Sequence, residues 1–197
     1  MLIEHRGKSP TVDPSAYVAP TAVLCGDVRV GPEARVLFGA VLTAEDGQVE
    51  IGARCVVMEN ALLRGRGDNP VTLGDDVLVG PHAHLNGTEV GDGCFLATGA
   101  SLFPGSRVGR DAEVRINGVV HVNSVLEDGA VVPIGWVAVG DPARILAPGR
   151  HEEIWRVQET LDFPQTVYGL GREASSRERM ELQTDWFASH RDDRPLS

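Results

Sequence analysis

The amino-acid sequence predicts an all-β solenoid, a triangular parallel β-helix of about seven rungs with α-helices at its C-terminal end. The main observation is a six-residue repeat through residues 11–142, with an aliphatic residue at the second place of each hexad. Composition agrees, because 23 glycines, 12 prolines and only 5% aromatic residues are typical of a chain full of turns. Length agrees as well, since 197 residues fit one domain with a hydrophobic core.

The hexads group in threes, and each group forms one rung. Side chains alternate along a strand, so the aliphatic residues are predicted to point inward. Three hexads return the chain to its starting edge about 4.8 Å further along the axis, in register for parallel pairing. The three aliphatic columns are Val12, Val30, Ile51, Leu73, Val90, Val108 and Leu126; Val18, Val36, Val57, Val79, Leu96, Val114 and Val132; and Leu24, Leu42, Leu63, Leu85, Leu102, Val120 and Ala138.

The elements follow in order along the chain. Residues 1–10 are an N-terminal lead-in, 11–146 the β-helix, 147–190 a helical segment and 191–197 a flexible tail. Two insertions, at 47–49 and 68–71, both follow a third hexad, so both loops are predicted to leave the same corner.

The end of the repeat carries three further signals. Trp136 replaces a small inward residue on the last rung and is predicted to cover the open apolar end. Apolar residues recur at helical spacing within 149–161. Ser175 and Glu178 have the spacing of a capping box before a second helix.

Charge and cysteine content exclude several classes of partner. The net charge of −10 argues against nucleic acid and against an anionic membrane surface as partners. Cys25, Cys55 and Cys94 are an odd set with no metal-type spacing, which is typical of free thiols in a reducing compartment. Cys55 and Cys94 fall at inward places and are predicted core residues. We therefore expect a cytoplasmic protein without a membrane span or signal peptide.

Residues 11–146 resemble the left-handed parallel β-helix of the hexapeptide-repeat superfamily, and within it the gamma-class carbonic anhydrases. The stretches that carry the resemblance are DPSAYVAPTAVLCGDVRVG, IGARC, LGDDVLVGPHAHLNGTEVG and VAVGDPARIL. The resemblance implies a left-handed coil and a homotrimer with its site at a subunit interface. VAVGDPARIL is also found in hexapeptide acyltransferases.

In those carbonic anhydrases three histidines bind one zinc ion between subunits. The corresponding positions here are Arg64, Pro81 and Asn86. Zinc needs nitrogen, sulfur or oxygen donors, which arginine and proline side chains do not supply, so the usual zinc is not expected.

Other residues near the family's site differ as well. An arginine and an acid of the family fall on Thr43 and Glu45, and a Gln-Asp pair falls on Met58 and Glu59. The resemblance therefore implies a kept scaffold with an altered site, in which Glu59 retains a carboxylate.

Two groups of polar residues are candidates for that altered site. His82 and His84 flank the inward Ala83, so alternation predicts both on one outer surface, where they are either ordinary surface residues or ligands of a relocated metal. Arg64 and Arg66 stand at the second insertion and either bind a carboxylate or phosphate or form surface ion pairs. The third place of the third hexad stacks Cys25, Thr43, Arg64, Asn86, Phe103, His121 and Val139 on one outer corner.

The leading hypothesis is a trimeric, gamma-carbonic-anhydrase-like protein with a degenerate zinc site, acting on or binding a small anionic or carbonyl compound in an interface cleft. The catalytic candidates are Arg64, His82, His84, Asn86 and Glu59, and the ligand-binding candidates are Arg66, Pro81 and His121. Three alternatives stay open: an acyltransferase that uses an acyl-CoA, a non-catalytic trimeric scaffold, and a carbonic anhydrase whose metal has moved to His82 and His84.

Overall fold

The chain folds as a left-handed parallel β-helix with three faces, seen in a computed structural model that describes residues 1–196. Two long strands, Val23–Val30 and Val41–Ile51, run from the third face around a corner onto the first face of the next rung. The other first-face strands are Thr11–Val12, Val71–Leu73, Glu89–Val90, Arg107–Val108 and Val125–Leu126. The second-face strands are Tyr17–Val18, Arg35–Val36, Val56–Val57, Leu78–Val79, Phe95–Leu96, Glu113–Val114 and Val131–Val132. The remaining third-face strands are Leu2–Glu4, Leu62–Gly65, His84–Asn86, Ser101–Leu102, Val119–Val120 and Val137–Val139.

The core is the set of inward columns, in the register that the repeat predicts. On the third face Leu24, Leu42, Leu63, Leu85 and Leu102 pair in succession, and each is fully buried. Cys55 and Cys94 are buried as predicted, and Trp136 packs against the core at the last rung. Each hexad buries one aliphatic side chain, so the hydrophobic effect stabilises every rung.

The chain turns at a corner after each face, and we number each corner after the face that precedes it. These corners require unusual backbone angles. On six of the seven rungs the second corner holds one residue in the left-handed region: Gly39, Asn60, His82, Gly99, Asn117 and Gly135. Glycine and asparagine tolerate this conformation, which explains their recurrence there. His82, with a φ of 57°, occupies the same backbone position.

Three α-helices follow the β-helix, whereas the sequence predicts two. Helix α1 (His151–Gln158) lies within the predicted 149–161, and helix α3 (Ser176–Phe187) begins with the predicted capping box of Ser175 and Glu178. Helix α2 (Phe163–Tyr168), a single short turn with proline near its start, was missed because six residues show no helical period. None of the helices among residues 1–196 is long and apolar enough to cross a membrane.

Both chain ends take part in strand pairing. The lead-in 1–10 contains the strand Leu2–Glu4, which pairs in parallel with the first rung and adds a partial layer below the seven rungs. The tail, predicted to be flexible from residue 191, instead continues the 3₁₀ helix Ala188–Asp192 and then pairs Arg194–Pro195 with Leu2–Glu4. The edge of Val23–Val30 accepts Leu2–Glu4, and the edge of Leu2–Glu4 in turn accepts Arg194–Pro195, because the unpaired backbone groups of an edge strand accept another strand. Ser197 lies outside the described residues.

Candidate functional site

The third corner brings together most of the polar residues that the sequence singles out. Cys25 pairs with Thr43, Thr43 with Arg64, and Arg64 with Asn86, so these residues lie on adjacent rungs. Parallel strands are about 4.8 Å apart, so neighbouring side chains in this stack are in reach of a common small ligand. The stacking predicted for this corner is confirmed by the register.

A buried carboxylate lies at the centre of this stack. Glu45 is 3% exposed, and its Oε1 accepts a hydrogen bond of 2.9 Å from the Thr43 hydroxyl. The Arg64 Nε lies 3.9 Å from the same oxygen, and the His190 Nε2 lies 2.9 Å from Oε2. A buried charge needs such compensation, so Glu45 fixes the electrostatics of the corner.

Arg64 and Asn86 have unused hydrogen-bonding capacity. Within residues 1–196 the buried Nε of Arg64 and the buried Oδ1 of Asn86 have no hydrogen-bond partner. The guanidinium also lies 5.7 Å from the centre of the Phe187 ring, which covers it from helix α3. Buried polar atoms are normally satisfied, so unpaired atoms on adjacent rungs mark a place for a polar ligand or water.

Arg66, a predicted ligand-binding residue, contacts the C-terminal helices. Its guanidinium carbon lies 4.0 Å from the centre of the Trp186 ring. Its Nη1 donates to the Val167 carbonyl and to the Gln183 side chain, each at 3.3 Å. Burial lowers the pKa of Arg66, and nearby carboxylates partly oppose that shift. Asn86, Arg66 and Trp186 line a small cavity of about 150 Å³ between the second insertion and helices α2 and α3.

His121 belongs to an aromatic cluster under helix α2 and does not face an open cleft. Its ring lies 5.9 Å from the Phe103 ring and 5.8 Å from the Phe163 ring. Burial lowers its pKa, and its Nδ1 has no partner among residues 1–196. Helix α2 thus packs over His121, and a role of His121 in ligand binding stays a prediction.

His84 lies on the third face beside this corner. Its ring meets Phe103 edge-on at 6.2 Å. Burial lowers the pKa of His84, and the positive charge of Arg64 lowers it further. His84 is thus a neutral imidazole near Arg64 at neutral pH, able to accept or donate one hydrogen bond.

Glu59, Pro81 and His82 lie at the second corner, across the width of the third face from Arg64. The His82 backbone N–H donates to the Glu59 carbonyl. The strand begins at His84, so His82 belongs to the preceding turn, and the prediction of both histidines on one strand surface is wrong. Pro81 lines a cavity of about 500 Å³ on the second face with the apolar residues Phe95 and Ile134.

Comparison with known proteins shows what this chain is similar to. No family model matches the chain. The sequence is 33% identical over 153 residues to gamma carbonic anhydrase 1, mitochondrial, of Arabidopsis thaliana, covering 75% of this chain and 54% of that protein. It is 27% identical over 109 residues to a carbonic anhydrase of Geobacillus kaustophilus, covering 55% of this chain and 60% of that protein. The chain thus spans about half the length of the Arabidopsis relative. It is a gamma-carbonic-anhydrase-like hexapeptide-repeat protein.

A solved structure agrees with the fold. The chain superposes on the UDP-N-acetylglucosamine acyltransferase of Francisella novicida with a TM-score of 0.56. The identity is 13%, over 92% of this chain and 79% of that one. At that identity the match shows the β-helix alone, so it supports the architecture of this gamma-carbonic-anhydrase-like chain and no activity.

Sequence reasoning missed a second polar cluster in this gamma-carbonic-anhydrase-like chain. His5, Cys25, His190 and Asp193 meet at the end of the third-corner stack, next to Glu45. The only local signal is the spacing of His190 and Asp193, which one turn of the 3₁₀ helix places together. His5 and Cys25 join them through strand pairing at the N-terminus, which no periodicity announces.

Proposed function

We propose that this chain forms a homotrimer with a degenerate zinc site, and that its interface cleft binds a small anionic or carbonyl compound through Arg64 and Asn86. The observation that carries the proposal is the pairing of these two residues on adjacent rungs, with buried polar atoms that lack partners among residues 1–196. A ligand carrying a carboxylate or carbonyl oxygen would satisfy donors on Arg64, and its own donor would satisfy the Asn86 oxygen.

The side chains at the family's ligand positions do not fit zinc. Arg64 is a cation with donors only, Pro81 has no donor atom in its side chain, and Asn86 offers one amide oxygen. Tetrahedral zinc sites in proteins take imidazole, thiolate or carboxylate ligands. We therefore assign no step of a reaction to zinc at these positions.

The Arg64 guanidinium is suited to hold an anion. Its buried Nε makes no hydrogen bond within residues 1–196, while Glu45 attracts the guanidinium electrostatically from 3.9 Å. Phe187 and the neutral His84 reduce the water around it, which strengthens a charge-assisted hydrogen bond. The positioned cation would polarise a carbonyl or stabilise negative charge in a bound ligand.

The second face supports the trimer. Large apolar residues are exposed on this face and its second corner, with Ile134 63% and Phe38 51% exposed. Phe95, Ile116 and Val131 are exposed in the same region, and Phe95 and Ile116 line one cavity with Ile134. An apolar patch of this kind is typical of a subunit interface. In such an assembly Glu59, Pro81 and His82 of a neighbouring subunit would complete the cleft, with His82 as a general acid or base.

The experiment is a binding titration on the full chain, combined with sedimentation. We expect bicarbonate, acetate or malonate to bind with an affinity that Arg64→Met lowers at least 10-fold and that Asn86→Ala lowers less. Arg54→Met is the matched control, because Arg54 forms an exposed ion pair with Asp76 far from the cleft. Sedimentation should give three times the chain mass of 21.1 kDa.

Other outcomes would select the alternatives. Acetyl-CoA binding without anion binding would favour the acyltransferase. Hydration of carbon dioxide that is lost in a His82→Ala, His84→Ala double variant would favour the relocated-metal carbonic anhydrase. No ligand and a stable trimer would favour the scaffold, and a monomer would refute the assembly. The cytoplasmic location stays a prediction, since the Arabidopsis relative has a mitochondrial name.

A further inference from the structure

Three distant parts of the chain meet below the Arg64 stack. His5 follows the N-terminal strand, Cys25 lies on the first rung, and His190 and Asp193 belong to the C-terminal segment. Each residue offers one ligand atom, and these atoms all lie within 4.8 Å of one another. His5 and Cys25 are 1% and 5% exposed, so the meeting point is enclosed.

The individual distances centre on the Asp193 carboxylate. Its Oδ1 lies 2.6 Å from His5 Nδ1, and its Oδ2 lies 2.8 Å from His190 Nδ1. The Cys25 Sγ lies 3.7 Å from the same Oδ2. The two histidine rings stack with their centres 4.4 Å apart. Two imidazoles, one thiol and one carboxylate thus meet in one small volume.

Two further observations point to a ligand of this cluster. The Nε2 of His190, opposite the atom that faces Asp193, lies 2.9 Å from the buried Glu45 carboxylate. Histidines that bind metals usually give their other ring N–H to a carboxylate in this way. The Nε2 of the almost fully buried His5 has no hydrogen-bond partner in the described chain.

We propose that His5, Cys25, His190 and Asp193 form a tetrahedral site for a zinc-type transition-metal ion. Imidazole and thiolate donors together with a single carboxylate favour zinc over calcium or magnesium, which prefer oxygen ligands. The site is distinct from Arg64, Pro81 and Asn86 and does not depend on the ligand proposed for them. It is also distinct from the His82 and His84 pair.

Proton balance sets a condition on binding. Burial raises the pKa of the Cys25 thiol to about 12, and the negative charges of Asp193 and Glu45 add to that shift. The metal-free cluster therefore holds a neutral thiol. Metal binding forms the metal–sulfur bond and releases to solvent the thiol proton, together with any proton that a coordinating histidine nitrogen shares with Asp193, so the affinity should rise with pH.

The proposed ion would join the two chain ends to the first rung. It would hold the C-terminal segment against the third corner and keep His190 on Glu45, whose Oε1 is the oxygen closest to Arg64. The four ligands come from residues up to 188 positions apart, so closing them reduces the freedom of the unfolded chain.

The test uses the full chain, stripped with a chelator and titrated with Co²⁺ and with Zn²⁺ against a chromophoric chelator. We expect one equivalent of Co²⁺ per chain, tetrahedral visible bands and a thiolate-to-cobalt charge-transfer band. Cys25→Ser should abolish the charge-transfer band and weaken zinc binding by on the order of 100-fold or more, since loss of even an outer hydrogen-bond partner weakens binding 10–100-fold. Asp193→Asn should weaken binding without removing the sulfur band.

Two controls make the result specific. Cys55→Ser removes another buried thiol, whose Sγ donates to the Gly74 carbonyl, and should leave both readouts unchanged. The His82→Ala, His84→Ala double variant should also leave them unchanged. A band that survives Cys25→Ser, a band lost in the double variant, or a folded chain that takes up no Co²⁺ would each overturn the proposal. Circular dichroism of every variant shows that it has folded.

Discussion

The inside of the three-sided β-helix, which forms a prism, and its third corner differ in how strictly the fold determines their side chains. Inside, the same residue type recurs at the inward place, as Leu42, Leu63 and Leu85, and each is fully buried against the rungs above and below. One step outward, Thr43, Arg64 and Asn86 differ in charge, size and hydrogen-bonding capacity on the same three rungs. The difference shows that stacking fixes the inward side chains, because every rung must fill the same triangle, and leaves the corner free to vary.

The sharpest test of that contrast compares neighbours in one strand. Leu63→Ala should lower the free energy of unfolding by about 2–5 kcal/mol, because a rigid prism leaves a cavity where the side chain was. Arg64→Ala should lower it by less than about 1 kcal/mol, because the partner Glu45 lies 3.9 Å away and retains Thr43 and His190. Urea unfolding at one fixed protein concentration measures both, since self-association would shift the midpoint.

Leu62→Ala is the control for the inward direction of Leu63. Leu62 is only partly buried on the outer side of the same strand, so its truncation should cost clearly less. Equal losses for the two leucines would contradict the distinction between inward and outward places.

The second expectation concerns what holds the C-terminal helices on the corner. Arg66→Ala removes the contact with Trp186 and two hydrogen bonds to helices α2 and α3. We expect the free energy needed to detach these helices locally to fall by about 1–2 kcal/mol. This is typical of losing a desolvated cation–π contact together with hydrogen bonds. Limited proteolysis should then cut within residues 159–175 severalfold faster, while the β-helix stays intact.

Arg177→Ala is the matched control on helix α3. Arg177 forms an exposed ion pair with Glu181, so its loss should change stability by less than about 0.5 kcal/mol and leave the cleavage rate unaltered. Faster unfolding of the whole chain in Arg66→Ala, without early cleavage, would show that the helices and the prism unfold as one unit.

The same contrast explains what the sequence could predict. The repeat fixes the register of all seven rungs, so it also places Arg64 beside Asn86. The repeat does not show that His82 lies in a left-handed turn. The corresponding corner positions hold glycine, asparagine or histidine, so no aliphatic residue marks them.

The segments that pack over the third corner, helix α3 and the two chain ends, could not be predicted for a different reason. Helix α3 has a weak apolar face, and nothing in its sequence specifies where Trp186 and Phe187 dock. The cluster of His5, Cys25 and Asp193 depends on the pairing of the N-terminal strand with the first rung and of the C-terminal strand with the N-terminal strand, and these contacts are long-range. Local patterns determine strands and turns, whereas such contacts depend on the finished fold.

The smallest effect that we expect is on the pH dependence of stability, and it comes from the buried His121 in the aromatic cluster of the third corner. The pKa of His121 is lowered by burial alone, and its ring faces Phe103 and Phe163, neither of which ionises. The unfolded chain therefore takes up a proton near the ordinary histidine pKa of about 6.5, before the folded chain does. The contribution of His121 to stability is complete above that pH and is lost as the pH falls through the lowered folded-state pKa.

His121→Leu should therefore flatten the decline in stability between roughly pH 7.5 and 5, and change stability at pH 7.5 by less than about 1 kcal/mol. Thermal unfolding at several pH values measures this as the difference between the variant and the parent chain, because His84 titrates in the same direction in both. Phe163→Leu loosens the same cluster without removing the titrating group, so it should shift stability by a constant amount at every pH. A parallel shift in His121→Leu as well would mean that water reaches the imidazole and that helix α2 does not seal this end of the corner.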